Sequence, residues 1–168
     1  MTGLLVGTAL MCTAIYGYFA SGYAPVATSD PELPFESALA GKALRARLLK
    51  EVRPLSAAST PDDLLAGARL YVRHCAVCHG LPTGQVTPIA SGVYPPPPQL
   101  FHNQGATRRS EAEDYWKISN GIRFTGMPGF RESLTSSEIR QISLLLAQAS
   151  RLPPPVVQEL HVSPPSSR

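Results

Sequence analysis

The residues with the clearest chemical potential are two cysteines and a histidine in "YVRHCAVCHG", residues 71–80. Cys75, Cys78 and His79 have the right types for a structural zinc ion, a redox-active disulfide or a covalently attached haem. A structural zinc site uses four ligands, usually in two pairs. No second Cys/His pair follows in the sequence, because His102 and His161 stand alone. The spacing therefore disfavours zinc.

A thioredoxin-like CxxC is typical of a strand-to-helix turn, whereas this motif ends a predicted helix in a chain with no convincing strand pattern. Covalent haem attachment uses all three residues, because the two thiols add to the porphyrin vinyl groups and the adjacent imidazole binds the iron. A fixed apolar ring also supplies core to a domain of about 90 residues. We therefore predict one haem c, with His79 as the proximal iron ligand.

Met127 is the candidate for the sixth iron ligand. It is the one methionine outside the N-terminal segment, and it lies between Gly126 and Pro128 in "NGIRFTGMPGF", residues 120–130. Glycine lets the backbone approach the ring, and proline fixes the local turn. A lone methionine is often core filler. A loop position between glycine and proline favours the ligand interpretation.

Helix start signals surround these residues. Residues 60–63, "TPDD", predict a helix that runs into the CxxCH motif, and residues 110–113 and 135–138 fit capping boxes of two later helices. Residues 81–109 contain "YPPPPQLF" and predict a loop. Apolar residues at intervals of four and five also predict an amphipathic helix over 35–53.

Two of these segments, "ARLYVRHCAVCHG" (68–80) and "WKISNGIRFTGMPGF" (116–130), together with the capped C-terminal helix, resemble the single-haem class I cytochromes c. In detail they are similar to the membrane-attached cytochrome c domains of respiratory oxidases and periplasmic dehydrogenases. The resemblance covers about residues 60–150. It implies an all-α, class I cytochrome c-like domain of three to four helices around a covalent haem.

The resemblance also assigns roles to particular residues. It places Gly67 at the crossing of the first and last helices, against Leu144–Leu146, and Pro88 near the proximal histidine, where a backbone carbonyl accepts the imidazole N–H. Tyr71 and Trp116 would pack on or hydrogen-bond to the haem, or fill the core. The residues that would hold the haem are the attachment cysteines Cys75 and Cys78 and the axial ligands His79 and Met127.

Charge is distributed unevenly along the chain. Residues 59–150 carry eight Lys/Arg against seven acidic residues, so the net charge of +3 does not indicate a nucleic-acid-binding face. The excess lies at 42–53, in a local basic stretch. With the proline clusters, this predicts an anchor at 1–24, a linker with the amphipathic helix at 25–58, a cytochrome domain at 59–152 and a proline-rich tail at 153–168.

Residues 1–29 contain no charged side chain, and the apolar run at 3–24 is long enough to cross a bilayer of ~30 Å at ~1.5 Å per helical residue. We predict an N-terminal transmembrane helix; a cleaved signal peptide is the alternative. The basic stretch at 42–53 favours the cytoplasmic side. Haem attachment to CxxCH requires the extracytoplasmic side, and we place the haem domain there, in the periplasm or its equivalent.

These features together predict a membrane-anchored electron-transfer protein rather than an enzyme. Met/His ligation raises the potential of a haem iron, and no proton chemistry is needed. The expected partners are the membrane and redox proteins or other subunits of a respiratory complex. Two alternatives remain open at this point: an open-coordination sensor or peroxidase with His102 as a distant distal candidate, and a mainly structural subunit.

Overall fold

The structure is a computed structural model that describes residues 2–55, 60–101 and 110–161. Among these residues every regular element is helical, which confirms the all-α prediction. The chain divides into two units, Met1–Leu39 and Ala40–Arg168. Ser59, His102 and residues 162–168, which enter the sequence predictions, lie outside the described residues.

The first unit contains helix α1, Thr2–Ala20, which has no buried residue. Within the described part of the chain it is the helix long and apolar enough to cross a membrane, judged by length and composition. The two threonines inside the helix satisfy their hydroxyl groups internally: Thr8 Oγ1 donates to the Leu4 carbonyl and Thr13 Oγ1 to the Ala9 carbonyl, each at 2.9 Å. The helix therefore presents little unsatisfied polar surface, as a lipid environment requires.

Helix α2, Glu36–Glu51, begins in the first unit and continues into the second. It lies where the sequence predicts an amphipathic helix over 35–53. Leu48 is its buried residue, and Glu51 Oε2 accepts a 3.1 Å hydrogen bond from the Trp116 indole N–H. The indole N–H is thus used to hold α2 against the rest of the domain.

The core of the second unit is built on α3 (Pro61–His74), α6 (Glu111–Asn120) and α7 (Ser136–Ala147). Helix α7 packs against both of the others. Helices α3 and α7 begin where the sequence predicts helix starts, and both have complete capping boxes. The Thr135–Glu138 box was predicted, whereas at Thr60 the sequence predicted only a capping hydroxyl and the structure adds a box with Asp63. At α6 the predicted box is half formed. Ser110 caps the helix, but the Glu113 carboxylate lies 3.3 Å from Lys117 Nζ instead.

Gly67 marks the crossing of α3 and α7. A Cβ atom at this position would lie 2.7 Å from the carbonyl carbon of Gln141, closer than real Cβ atoms approach. Glycine is therefore needed for the close approach of the two backbones. The prediction that Gly67 lies at the crossing is confirmed, but its neighbours are Gln141 and Ile142, about one helical turn before the predicted Leu144–Leu146 region.

The segment after α7 differs from the prediction of a proline-rich tail. After a short 3₁₀ helix, Ala149–Arg151, residues Pro154–His161 form helix α8, which packs on α3. Val156 and Leu160 are its buried residues. Prolines are tolerated in the first turn because its N–H groups have no intrahelical partner. Proline content alone therefore misidentified this segment.

Candidate haem-binding site

The CxxCH motif lies at the junction of two helices. Cys75 ends α3, and α4 (Ala76–His79) begins directly after it. The backbone N–H groups of Cys78 and His79 both donate to the Cys75 carbonyl, at 3.1 and 2.9 Å. The motif is thus one tight helical turn that carries both thiols and the imidazole.

Neither cysteine of the motif takes part in a disulfide within the described residues. Burial raises the pKa of the Cys75 thiol to about 12, and the neighbouring Cys78 acts in the same direction. A buried thiolate is costly in apolar surroundings, whereas a neutral thioether is not. The environment of Cys75 therefore suits a sulfur atom that bears no charge.

The histidine of the motif is held at one ring nitrogen. His79 Nδ1 lies 2.9 Å from the Pro98 carbonyl oxygen. With Nδ1–H donating to this oxygen, Nε2 carries the lone pair that a metal ion needs. The sequence prediction gave this environment to Pro88, and that is wrong: Pro88 is the first residue of the short helix α5, Pro88–Ser91.

The segment from Pro98 to Leu100 contacts the motif at two further points. The Gln99 side-chain amide donates to the Cys78 carbonyl at 3.4 Å, and the Leu100 N–H donates to the His79 carbonyl at 3.3 Å. Sequence reasoning treated this stretch as loop. The sequence signal that could have identified this contact is the run "PPPPQL". Its prolines have no N–H groups, so their carbonyl oxygens stay free to accept hydrogen bonds from side chains.

Tyr71 supports the motif from inside the core. Its side chain is fully buried, and its hydroxyl donates a 2.7 Å hydrogen bond to the Gly80 carbonyl, directly after His79. Its ring also packs edge-on against Phe101, with the centroids 5.1 Å apart. The structure therefore shows core packing and a backbone contact for Tyr71.

The Met127 loop is closed by its own hydrogen bonds. The Ile122 N–H donates to the Met127 carbonyl at 3.2 Å, and the Met127 N–H donates to Thr125 Oγ1 at 3.1 Å. Gly121 has a φ of 69°, and a Cβ atom there would lie 2.6 Å from the Gly129 nitrogen. Met127 itself is partly buried and packs against the hydrophobic core.

The proline-rich loop connects the Met127 loop with the CxxCH side of the domain. A Cβ atom at Gly126 would lie 2.7 Å from Val93 Cγ1, so the residue before Met127 packs closely on this loop. The same loop supplies Pro98 to His79. One segment, residues 93–98, therefore contacts the neighbourhoods of both candidate axial ligands.

Two basic side chains of the domain contact aromatic rings. Arg123 is exposed and lies over the Phe124 ring, 5.3 Å from its centroid. His74 packs edge-on against Phe130 at 6.2 Å. Among residues 2–55, 60–101 and 110–161, no three His, Cys, Asp or Glu side chains are placed to hold a metal ion.

These donors fit a haem. Two thiols in one turn next to an imidazole oriented through Nδ1, and a methionine in a braced glycine-proline loop, match the requirements of covalent attachment and axial ligation. The fit uses the four residues that the sequence predicts: Cys75, Cys78, His79 and Met127.

Comparison with known proteins agrees with this site chemistry. Residues 62–144 match the family model described as cytochrome c oxidase, cbb3-type, subunit III. The chain is also 33% identical over 99 residues to the quinohemoprotein alcohol dehydrogenase ADH IIB of Pseudomonas putida. That alignment covers 59% of this chain and 13% of the dehydrogenase, so the chain spans a small part of its relative. No solved structure is significantly similar to this chain. These similarities support the interpretation of residues 62–144 as a monohaem cytochrome c domain, a type of domain that binds a covalently attached haem c.

Proposed function

We propose that this chain is a membrane-anchored electron-transfer protein that exchanges single electrons with protein partners of a respiratory complex and transforms no substrate itself. When bound, the haem supplies an iron that alternates between the ferric and ferrous states. The proposal assigns Cys75 and Cys78 to its attachment, and His79 and Met127 to its two axial positions.

The hydrogen-bonded Met127 loop is the observation that carries this proposal. Its bonds through Thr125 and Ile122 restrict the backbone on both sides of the methionine. A thioether held by its backbone stays in place in both oxidation states, so little reorganisation accompanies electron transfer. A sensor or peroxidase needs an open axial position instead, which a braced methionine would block.

The proximal side of the site has a matching role. The Pro98 carbonyl accepts from His79 Nδ1 and so fixes the orientation of the imidazole plane. It also makes Nε2 a stronger donor. We propose that Pro98 keeps the orientation of the His79 imidazole constant, so that Nε2 would bind the iron in one geometry.

The family match and the relative support the proposed setting. The matching model is named for an oxidase subunit, and the relative is named as a quinohemoprotein dehydrogenase. We infer that this chain similarly works beside larger redox proteins, as a carrier or subunit. Helix α1 is proposed to anchor it, with the haem domain on the periplasmic side, where haem is joined to CxxCH motifs. A mainly structural role within such a complex is compatible with electron transfer.

The decisive experiment replaces Met127 with alanine in the full-length holoprotein. If the sulfur binds the iron, the wild type is six-coordinate and low-spin and shows the near-infrared sulfur-to-iron band of the ferric protein. Met127→Ala abolishes that band, lowers the potential and opens the iron to carbon monoxide. Arg123→Ala, an exposed change in the same loop, is the matched control and leaves the band intact. Rapid carbon monoxide binding by the wild type, without the band, would establish the sensor or peroxidase alternative.

A second experiment tests the attachment residues. Haem in the wild type remains bound through acid-organic extraction, at one haem per chain, because thioether bonds do not depend on coordination. Cys75→Ala or Cys78→Ala impairs maturation. Cys12→Ala is the control and leaves haem content unchanged, since Cys12 belongs to α1. Loss of haem from the wild type on extraction would overturn the assignment.

Membrane attachment is tested separately. A chain that begins near Ser29, behind a cleavable export signal, is expected to be soluble and spectrally unchanged. Native protein found in solution with its N-terminus near Tyr23 would instead show that α1 is a signal peptide.

A further inference from the structure

Helix α2 has an inner side that fixes its orientation on the haem domain. Leu48 is 9% exposed, and Glu51 receives the indole N–H of Trp116. The Glu51 carboxylate also lies 2.6 Å from Arg47 Nε, one turn earlier on the helix. These contacts set which residues of α2 face outwards.

The outward side of α2 combines cations with leucines. At 100° per residue, Leu39, Ala46 and Lys50 lie opposite Leu48, with Lys42 and Leu49 beside them. Leu39 is 65% exposed and Leu49 is 82% exposed, and the two lysines are exposed between them. We call these five residues, with Arg45 at their edge, the outer face of α2.

The cations of the outer face are available to a partner. Arg47 is paired with Glu51, but no ion pair of Lys42, Arg45 or Lys50 occurs among the described residues. A protein surface of this kind has three positive charges around two exposed leucines. Such a mixture is typical of helices that lie in a membrane interface, where leucines enter the acyl boundary and basic groups meet lipid phosphates.

The position of α2 in the chain favours the membrane over a protein partner. Residues 21–35 join α1 to α2, and even fully extended they reach about 50 Å at ~3.5 Å per residue. An anchored α1 therefore keeps α2 within about 50 Å of the membrane surface. We propose that the outer face of α2 binds the anionic phospholipids of the bilayer that holds α1. The proposal rests on the proposed anchoring of α1.

This contact would orient the haem domain on the bilayer surface. Because Trp116 and Leu48 hold the other side of α2, a helix lying in the interface carries the domain with it.

The experiment uses the three lysines of the sequence, Lys42, Lys50 and Lys117, as reporters of contact with lipid. Full-length holoprotein is reconstituted into vesicles of phosphatidylcholine with or without about one third phosphatidylglycerol, and labelled with a membrane-impermeant amine reagent. Labelling at each lysine is measured by mass spectrometry. We expect roughly five- to tenfold slower labelling of Lys42 and Lys50 in the anionic vesicles. Lys117, which lies 3.3 Å from Glu113, is the internal reference and stays unchanged.

Variants and salt separate lipid binding from other causes. Arg45→Glu with Leu49→Gln keeps both reporter lysines and should remove most of their protection. Arg151→Glu, an exposed charge change far along the chain from α2, is the matched control and should preserve it. Raising the salt to about 0.5 M should also reduce the protection, because the Debye length falls to a few ångströms.

Two outcomes would overturn the proposal. Equal labelling of Lys42 and Lys50 in both kinds of vesicle would do so, as would protection that occurs only in native membranes, which would identify a protein partner. Flotation of the vesicles tests the anchor independently. Protein that floats with neutral vesicles but shows no lysine protection refutes the α2 contact and leaves the anchor standing. Protein that does not float with them refutes the anchor.

Discussion

The CxxCH side of the domain and the outer face of α2 differ in charge, because the first is built from an uncharged segment and the second is basic. From Cys75 to Phe101 the chain has no Lys, Arg, Asp or Glu, whereas the 42–53 stretch has five basic residues and one acidic residue. Both regions expose apolar side chains. On the CxxCH side, Val77, Val86 and Ile89 are 43%, 56% and 58% exposed.

Because of this difference, we expect one surface to recognise its partners by electrostatic attraction and the other by apolar contact. Charge raises encounter rates and makes binding depend on ionic strength, whereas an uncharged apolar surface does neither. We infer that electron exchange takes place on a surface that a partner recognises by shape and apolar contact. The basic surface serves attachment instead. A partner already held nearby needs no electrostatic steering.

The largest expected effect concerns the inner side of α2. Leu48→Ala removes a nearly buried side chain and should lower the free energy of unfolding by about 2–3 kcal/mol. The neighbouring Leu49 is 82% exposed, so Leu49→Ala should change it by less than about 0.5 kcal/mol. Guanidinium denaturation measures both. Equal effects would mean that α2 does not have the two distinct sides on which the comparison depends.

The second prediction concerns Tyr71, whose buried side chain supports the CxxCH motif. Tyr71→Phe removes the hydroxyl that donates to the Gly80 carbonyl and leaves a buried oxygen unpaired. We expect a loss of about 1–2 kcal/mol in unfolding free energy. Tyr23→Phe, at an 83% exposed position, is the control and should have no measurable effect. An unchanged midpoint for Tyr71→Phe would show that this surface does not need its buried support.

A charge added to the uncharged surface should alter its electron exchange. The wild-type rate of oxidation by ferricyanide is expected to vary little with ionic strength. Val86→Lys with Ile89→Lys should accelerate it about tenfold at low salt, and this gain should vanish at high salt. Lys42→Gln with Lys50→Gln changes as much charge on α2 and should leave the stopped-flow rate unchanged. A steep salt dependence in the wild type would contradict the proposed site of exchange.

The smallest effect is an acid dependence of the α2 attachment. Arg47, and then the Trp116 hydrogen bond, hold the pKa of Glu51 below its ordinary value of 4.5. Because the folded pKa is the lower one, this contribution is complete above pH 4.5 and is lost as the pH falls through the lowered pKa. The near-ultraviolet circular dichroism of Trp116 should therefore change in that window. Glu51→Gln should remove the transition, and a transition that persists in this variant would assign it to another group.

The site was easier to predict from sequence than its supports. Cys75, Cys78, His79 and Met127 carry side chains whose chemistry and local spacing are visible in one dimension. The Pro98 carbonyl is a backbone group 19 residues from His79, and four consecutive prolines offer no sequence signal for which oxygen turns inwards. Pro88 was therefore chosen wrongly.

The fold shows the same division. Capping residues at Thr60 and Thr135 predicted helix starts because caps act within four residues. Helix α8 was missed because its stability comes from Val156 and Leu160 packing on α3, a contact across almost the whole domain. Likewise, the resemblance placed Gly67 at a helix crossing, but the register of that crossing depends on how α7 packs as a whole.

The packing of α3 sets an order for the biogenesis of this protein. If export proceeds from the N-terminus, the thiols of Cys75 and Cys78 emerge while the helices that cover α3, α7 and α8, are still to come. During that interval Cys75 is solvated and ionises far more readily than in a domain that has folded before attachment, where burial raises the pKa of its thiol to about 12. We infer that haem attachment proceeds best on a nascent, open chain. If folding is complete first, burial of the Cys75 thiol hinders haem attachment.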